Sequence, residues 1–227
     1  MGEKIEVQVV NGDGSLGNKY EYIIEKAKEN TMPSEGIKVK LLTIKKLSDQ
    51  INREICSSEY TEWSNKNWNS FQIIITALDT IDDCSDAIIN YIDMEEEEYK
   101  KFSRLSLYGI LQAIYMQQDA IKFLNNRLRI KTKISNSYEI IREIRNNISG
   151  HPISDKTGRK DGTHNFYFLG KGLYDKWYFE YASYTPEFKP NKVELKDLLE
   201  EHIAFLSEAL IRIQNNLNYL LKEDQTK

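Results

Sequence analysis

Residues 99–128, YKKFSRLSLYGILQAIYMQQDAIKFLNNRL, carry two apolar stripes at helical spacing. Leu107, Ile110, Ile114, Ile121 and Leu124 form one; Phe102, Ala113, Met116, Ala120 and Phe123 form the other. Residues three and four apart share a helix face, and a helix apolar on two sides belongs in the middle of a bundle. The segment therefore predicts a mainly α fold with itself as the central helix. A third face is polar: Tyr108, Gln112, Tyr115 and Asp119 recur at four–three–four spacing. These side chains must meet solvent, a partner or a neighbouring helix. One reading is simple hydrogen bonding inside the bundle; the other is a functional face, with Asp119 pairing to an arginine or histidine.

Working outward, residues 65–93 show one apolar stripe (Phe71, Ile74, Leu78, Ile81, Ser85, Ile88, Ile92) and predict a second long helix. Residues 193–222 repeat the pattern through Leu199, Ile203, Leu206, Leu210, Ile213, Leu217 and Leu220. Residues 37–57 do so through Leu41, Ile44, Leu47, Ile51 and Ile55. Residues 1–35 stand apart as an N-terminal extension. Ile5, Val7 and Val9 alternate like a short strand ending at Asn11-Gly12-Asp13-Gly14, and residues 20–29 suggest a short helix, broken by Pro33 and Gly36. Residues 164–184, HNFYFLGKGLYDKWYFEYASY, are aromatic and alternating around Gly170 and Gly172, which predicts a β-hairpin. The expected architecture is an up-and-down bundle of four to five long helices over residues 36–227, with that hairpin inserted before the last helix.

Composition sets bounds on function. The 227 residues are 40% hydrophobic and 29% charged with net charge −4, so any nucleic-acid contact needs a local basic patch. No apolar run is long enough for a membrane span, and the start lacks the core of a signal peptide, which predicts a cytoplasmic protein without membrane partners. Cys56 and Cys84 fall in periodic apolar segments and read as reduced core thiols. Residues 67–99 hold nine acids and no Lys or Arg, with Glu95–Glu98 reading as a solvated interhelical loop. Residues 122–145 hold seven basic residues against two acids: Lys122, Arg127, Arg129, Lys131, Lys133, Arg142 and Arg145. Alone, such a run is a solvated face.

The basic run leads into EIIREIRNNISGHP, residues 139–152. On a helix over residues 137–149, Ile141, Ile144 and Ile148 share the buried side. Tyr138, Arg142, Arg145 and Ser149 share an adjacent face. Gly150 suits a helix stop and Pro152 bars continuation, so His151 can fold back towards Arg145. A structural reading exists: histidine and arginine at a helix C-terminus are favoured by the dipole. Asn146-Asn147 speaks for function, because poor helix formers stand where stability would favour better ones.

"RNNISGHP" resembles the signature of the HEPN superfamily: an arginine, a polar residue, then a histidine after four to six intervening positions. Here Arg145, Asn146 and His151 fill those places. The resemblance spans roughly residues 63–221 and implies a HEPN-like bundle with the motif on its third long helix. It implies a metal-independent endoribonuclease of toxin–antitoxin, abortive-infection or other defence systems, needing no cofactor and no metal. Arg145 would stabilise the phosphorane charge, His151 would transfer protons, and Asn146 would orient one of them. Asp119, Tyr115, Arg142 and Ser149 would support the site; Lys122, Arg127, Arg129, Lys131 and Lys133 would bind RNA. The family's composite cleft implies a homodimer, and its systems imply an antitoxin or other defence partner. Some relatives carry a modifiable tyrosine two residues after the histidine; Ile153 stands there instead. The alternative is a catalytically silent HEPN-like module that binds a partner protein or nucleotide. His164 and His202 read as structural.

Overall fold

The computed structural model describes residues 3–10, 16–24, 33–130, 136–150, 153–154, 165–170, 175–185 and 187–224. His151, Lys131, Lys133, His164 and most of the polar loop at 154–163 lie outside the described residues.

The chain is mainly helical, with a small antiparallel sheet before its last helix. Helix α1 is Pro33–Ile55; a single 3-10 turn and the short α2 (Thr61–Lys66) lead into α3, Trp68–Asp93. Helix α4 runs Glu96–Leu128, α5 Asn136–Arg145 and α6 Leu195–Asp224. Pro33 does not break a helix but begins one, at the first position where its missing N–H costs nothing. Helices α1, α3, α4 and α6 form the bundle: α1 packs on α3 and α6, and α4 packs on α3, α5 and α6. Every predicted stripe position on α1 is buried, as are the stripe residues of α3 from Ile74 to Ile92 and of α6 from Leu199 to Leu217.

Helix α4 differs from expectation on one side. Leu107, Ile110, Ile114, Ile121 and Leu124 are buried, yet of the second stripe only Ala113 and Ala120 are. Phe102, Met116 and Phe123 are 44%, 41% and 53% exposed, because no element among the described residues covers that side. The Glu95–Glu98 run is not a loop. Glu96, Glu97 and Glu98 occupy the first turn of α4, where carboxylates complement the positive helix end, and Lys100 pairs with Glu96 and Glu97. Cys84 is buried, and burial pushes its thiol up to about 11; Cys56 is exposed, against the expected core position.

A polar seam crosses the core. Gln117 of α4 donates from Nε2 to the Ile81 carbonyl (3.0 Å) and to Ser85 Oγ (2.9 Å) on α3. Its Oε1 meets His202 Nε2 of α6 at 2.9 Å. The amide oxygen can only accept, so His202 carries its proton on Nε2. His202 is structural, as its flank position suggested.

The sheet has four strands in the order β3-β4-β5-β6, all antiparallel: Ile153–Ser154, Asn165–Leu169, Tyr178–Thr185 and Glu187–Glu194. The predicted hairpin corresponds to β4 and β5. Strand β6 extends it, and α6 starts two residues later than expected because Val193 pairs with Phe179. Pro190 is tolerated in β6 because that strand is an edge. Gly170 is required by close approach: a Cβ there would stand 3.0 Å from the Glu180 carbonyl oxygen. At the N-terminus β1 (Glu3–Val10) pairs antiparallel with β2 (Leu16–Ile24), Val7 opposite Tyr20. The helix expected over residues 20–29 is thus replaced by strand as far as Ile24, because Lys19-Tyr20-Glu21-Tyr22 alternates with period two.

Candidate functional site

Helix α5 lies against α4 and α6 with Ile141 and Ile144 buried and Tyr138 edge-on to Phe205 of α6. With that face buried, the adjacent face of α5, carrying Arg142 and Arg145, meets the polar stripe of α4. The α-helix ends at Arg145, earlier than expected, and widens into one π-helical turn over Asn146–Gly150. Asn146 and Asn147, weak helix formers, begin that turn. Ile148 is buried within it, and the turn packs against β4. The turn is therefore anchored from the sheet side.

Two arginines leave α5 for α4 and meet different partners. Arg142 Nη1 lies 2.8 Å from Asp119 Oδ1, and its guanidinium stacks 4.0 Å above the Tyr115 ring. Partial burial works against its charge, but the Asp119 carboxylate, with Tyr138 and Tyr115 nearby, more than offsets this and raises its pKa. Arg145 donates twice to one acceptor, Gln112 Oε1, from Nε at 3.1 Å and Nη2 at 2.8 Å. Its Nη1 donates to Asn146 Oδ1 at 3.0 Å, and Tyr115 lies under its guanidinium at 4.5 Å. Ser149 Oγ donates to the Arg145 carbonyl oxygen at 2.8 Å, closing the widened turn.

The consequence is electrostatic. Among the described residues Arg142 is neutralised by a carboxylate, whereas Arg145 is fixed by two neutral amide oxygens and the face of an aromatic ring. Arg145 keeps a whole positive charge in a preset orientation, part-buried, which is the requirement for holding a phosphate oxygen or a charge that develops on one.

Arg145, Asn146, Arg142, Tyr115, Asp119 and Ser149 thus come together, and the tyrosine and aspartate stripe of α4 faces the motif helix. Asp119 pairs with Arg142, not with Arg145; the residue that holds Arg145 is Gln112. Its position in the α4 stripe, one turn before Tyr115, was the available signal, but an amide in a helix has too many ordinary uses to single out. Lys122, Arg127 and Arg129 are exposed near the end of α4, where Lys122 borders a cavity with Tyr138 and Arg142. Gln112, Tyr115 and Asp119 also line a groove of about 820 Å³ between α3 and α4 that extends to Phe123 and Arg127. Among the described residues no group of three or more His, Cys, Asp or Glu could hold a metal ion, and no helix is long and apolar enough to cross a membrane. Compared with known families, curated proteins and solved structures, the chain matches none.

Proposed function

We propose that the chain is a HEPN-like, metal-independent endoribonuclease whose site is Arg145 with Asn146 and His151, working in a toxin–antitoxin, abortive-infection or other defence setting. The observation that carries this reading is the Arg145 guanidinium, held by Gln112 and Asn146 and left without a carboxylate among the described residues. Maintaining an uncompensated, oriented cation has a cost in desolvation, and an anion is the group that repays it. RNA supplies its own nucleophile. In the proposed reaction the ribose 2′-oxygen loses its proton to a base and attacks phosphorus. The bond from phosphorus to the 5′-oxygen breaks, and an acid protonates that oxygen. The products are a 2′,3′-cyclic phosphate and a 5′-hydroxyl. Arg145 stabilises the phosphorane oxygens, and His151 transfers the proton, the role a histidine side chain takes most often in general acid–base catalysis.

One imidazole cannot be base and acid in the same step. We therefore infer a homodimer in which two motifs share one cleft, so that each copy supplies one histidine. The test is RNA cleavage in EDTA by wild type, Arg145→Ala and His151→Ala, with product ends analysed and mass measured by light scattering. Wild type is expected to be a dimer that leaves cyclic phosphate ends, and both variants to be inactive but folded. Equal cleavage by all three proteins would overturn the assignment.

A further inference from the structure

The groove between α3 and α4 starts at the arginine site and leads away from it. Gln112 and Asp119 border it at one end, Phe123 and Arg127 at the other. The eleven residue steps from Gln112 to Phe123, at about 1.5 Å each, make that stretch roughly 16 Å long. Its volume of about 820 Å³ is that of a ligand site rather than a packing defect.

Its charge distribution is selective. Helix α3 carries five aspartates, Asp79, Asp82, Asp83, Asp86 and Asp93. Asp82 and Asp86 pair with Lys45, and Asp93 with Lys38, all towards α1. The groove side of α3 presents Asn69, Gln72 and Thr76 with no carboxylate. On the α4 side the one carboxylate is Asp119, already neutralised by Arg142. The groove is therefore lined by no unpaired carboxylate, and Arg127 stands at its mouth. The floor is apolar and aromatic, with Met116 and Phe123 exposed at 41% and 53%.

We propose that this groove binds the bases of a single-stranded RNA segment adjoining the scissile phosphate. This rests on the endoribonuclease reading and names the form of substrate that site takes. Bases stack on Phe123 and rest on Met116, while the phosphate beyond them meets Arg127. Asn69 and Gln72 face the base edges, and an amide offers one acceptor and two donors, the pattern that reads a base pair-wise. A duplex is excluded, because its bases already stack on one another and present no free face.

The test uses the full-length chain and short 2′-O-methyl oligoribonucleotides, which lack the nucleophile and cannot be cut. Wild type is expected to bind oligoadenylate or oligouridylate, and a duplex of the two is expected not to compete. Phe123→Ala should weaken binding about tenfold or more, the usual loss when a stacking partner is removed. Gln72→Ala should change the preference between the two oligonucleotides. Both variants alter exposed side chains, and sedimentation should show wild-type mass. Unchanged affinity and preference in both variants would overturn the proposal, as would absence of binding by wild type. A change of mass in Phe123→Ala would overturn it too, since the face would then be a contact between copies. Cleavage lost in Arg145→Ala but insensitive to Phe123→Ala would leave the endoribonuclease reading standing and remove this one. Phe123-dependent binding by a chain that never cleaves would do the reverse.

Discussion

Arg142 and Arg145 lie three positions apart on α5 and both rest on Tyr115, yet only Arg142 has a carboxylate partner among the described residues. Arg142→Ala is expected to act on stability: it strands Asp119 and removes a stacked cation, costing about 1–2 kcal/mol in urea denaturation. Gln112→Glu separates holding from chemistry more sharply. A carboxylate would bind Arg145 at least as well and leave the fold equally stable or more so. It would also neutralise the cation, so cleavage should fall at least tenfold, by the reasoning that applies to any lost donor to a developing oxyanion. Higher stability with undiminished cleavage would show that the Arg145 charge is not used. The contrast between the two arginines cannot be read in sequence, where both have the same spacing from Asp119 and Gln112 within a turn.

At the scale of elements, the end of α4 is informative. Arg129 takes the left-handed conformation, φ 52°, as the residue that stops the helix. A side chain there is strained by about 1 kcal/mol, and glycine relieves it. Arg129→Gly should raise stability by roughly 0.5 kcal/mol after the entropy glycine adds to the unfolded chain is counted. If Arg129 also contacts RNA phosphate, the same variant should bind RNA less tightly and with a shallower salt dependence. Stability and affinity would then move in opposite directions. The long helices α1, α3, α4 and α6 were legible because a 3.6-residue apolar period is both the local signal and the burial pattern. β2 was misread because Tyr20, Ile23, Ile24 and Ala27 also fit helical spacing, and only pairing with β1 decides between the periods. β6 was missed because EFKPNKVE has little strand propensity; its conformation comes from pairing with the aromatic β5.

For the whole molecule, acid sensitivity follows from the core seam. Burial lowers the His202 pKa from 6.5 to about 3, and its Nδ1 has no hydrogen-bond partner among the described residues. The unfolded chain therefore takes up this proton near pH 6.5 while the folded one resists it. The stabilisation is present above pH 6.5 and is lost as pH falls towards 3. Between pH 7 and 5 this group should lower unfolding free energy by about 2 kcal/mol. His202→Gln keeps a donor near Gln117 but does not titrate, so its denaturation midpoint should depend less on pH over that interval. Parallel pH profiles for the two proteins would show that His202 ionises freely.

Periodicity alone was enough to establish four long helices, the buried stripes of α1, α3 and α6 and one of α4, the aromatic strands before the last helix and a cluster of polar residues at the end of α5. These are local properties, written in residues two to four positions apart. It could not establish which arginine keeps its charge, that α4 leaves Phe102, Met116 and Phe123 uncovered, or that a carboxylate-poor groove leads from the site. Those depend on residues distant in the chain: Gln112 and Arg145 are 33 positions apart. A side chain's charge environment is the sum of what packing brings beside it, and no local period encodes that sum.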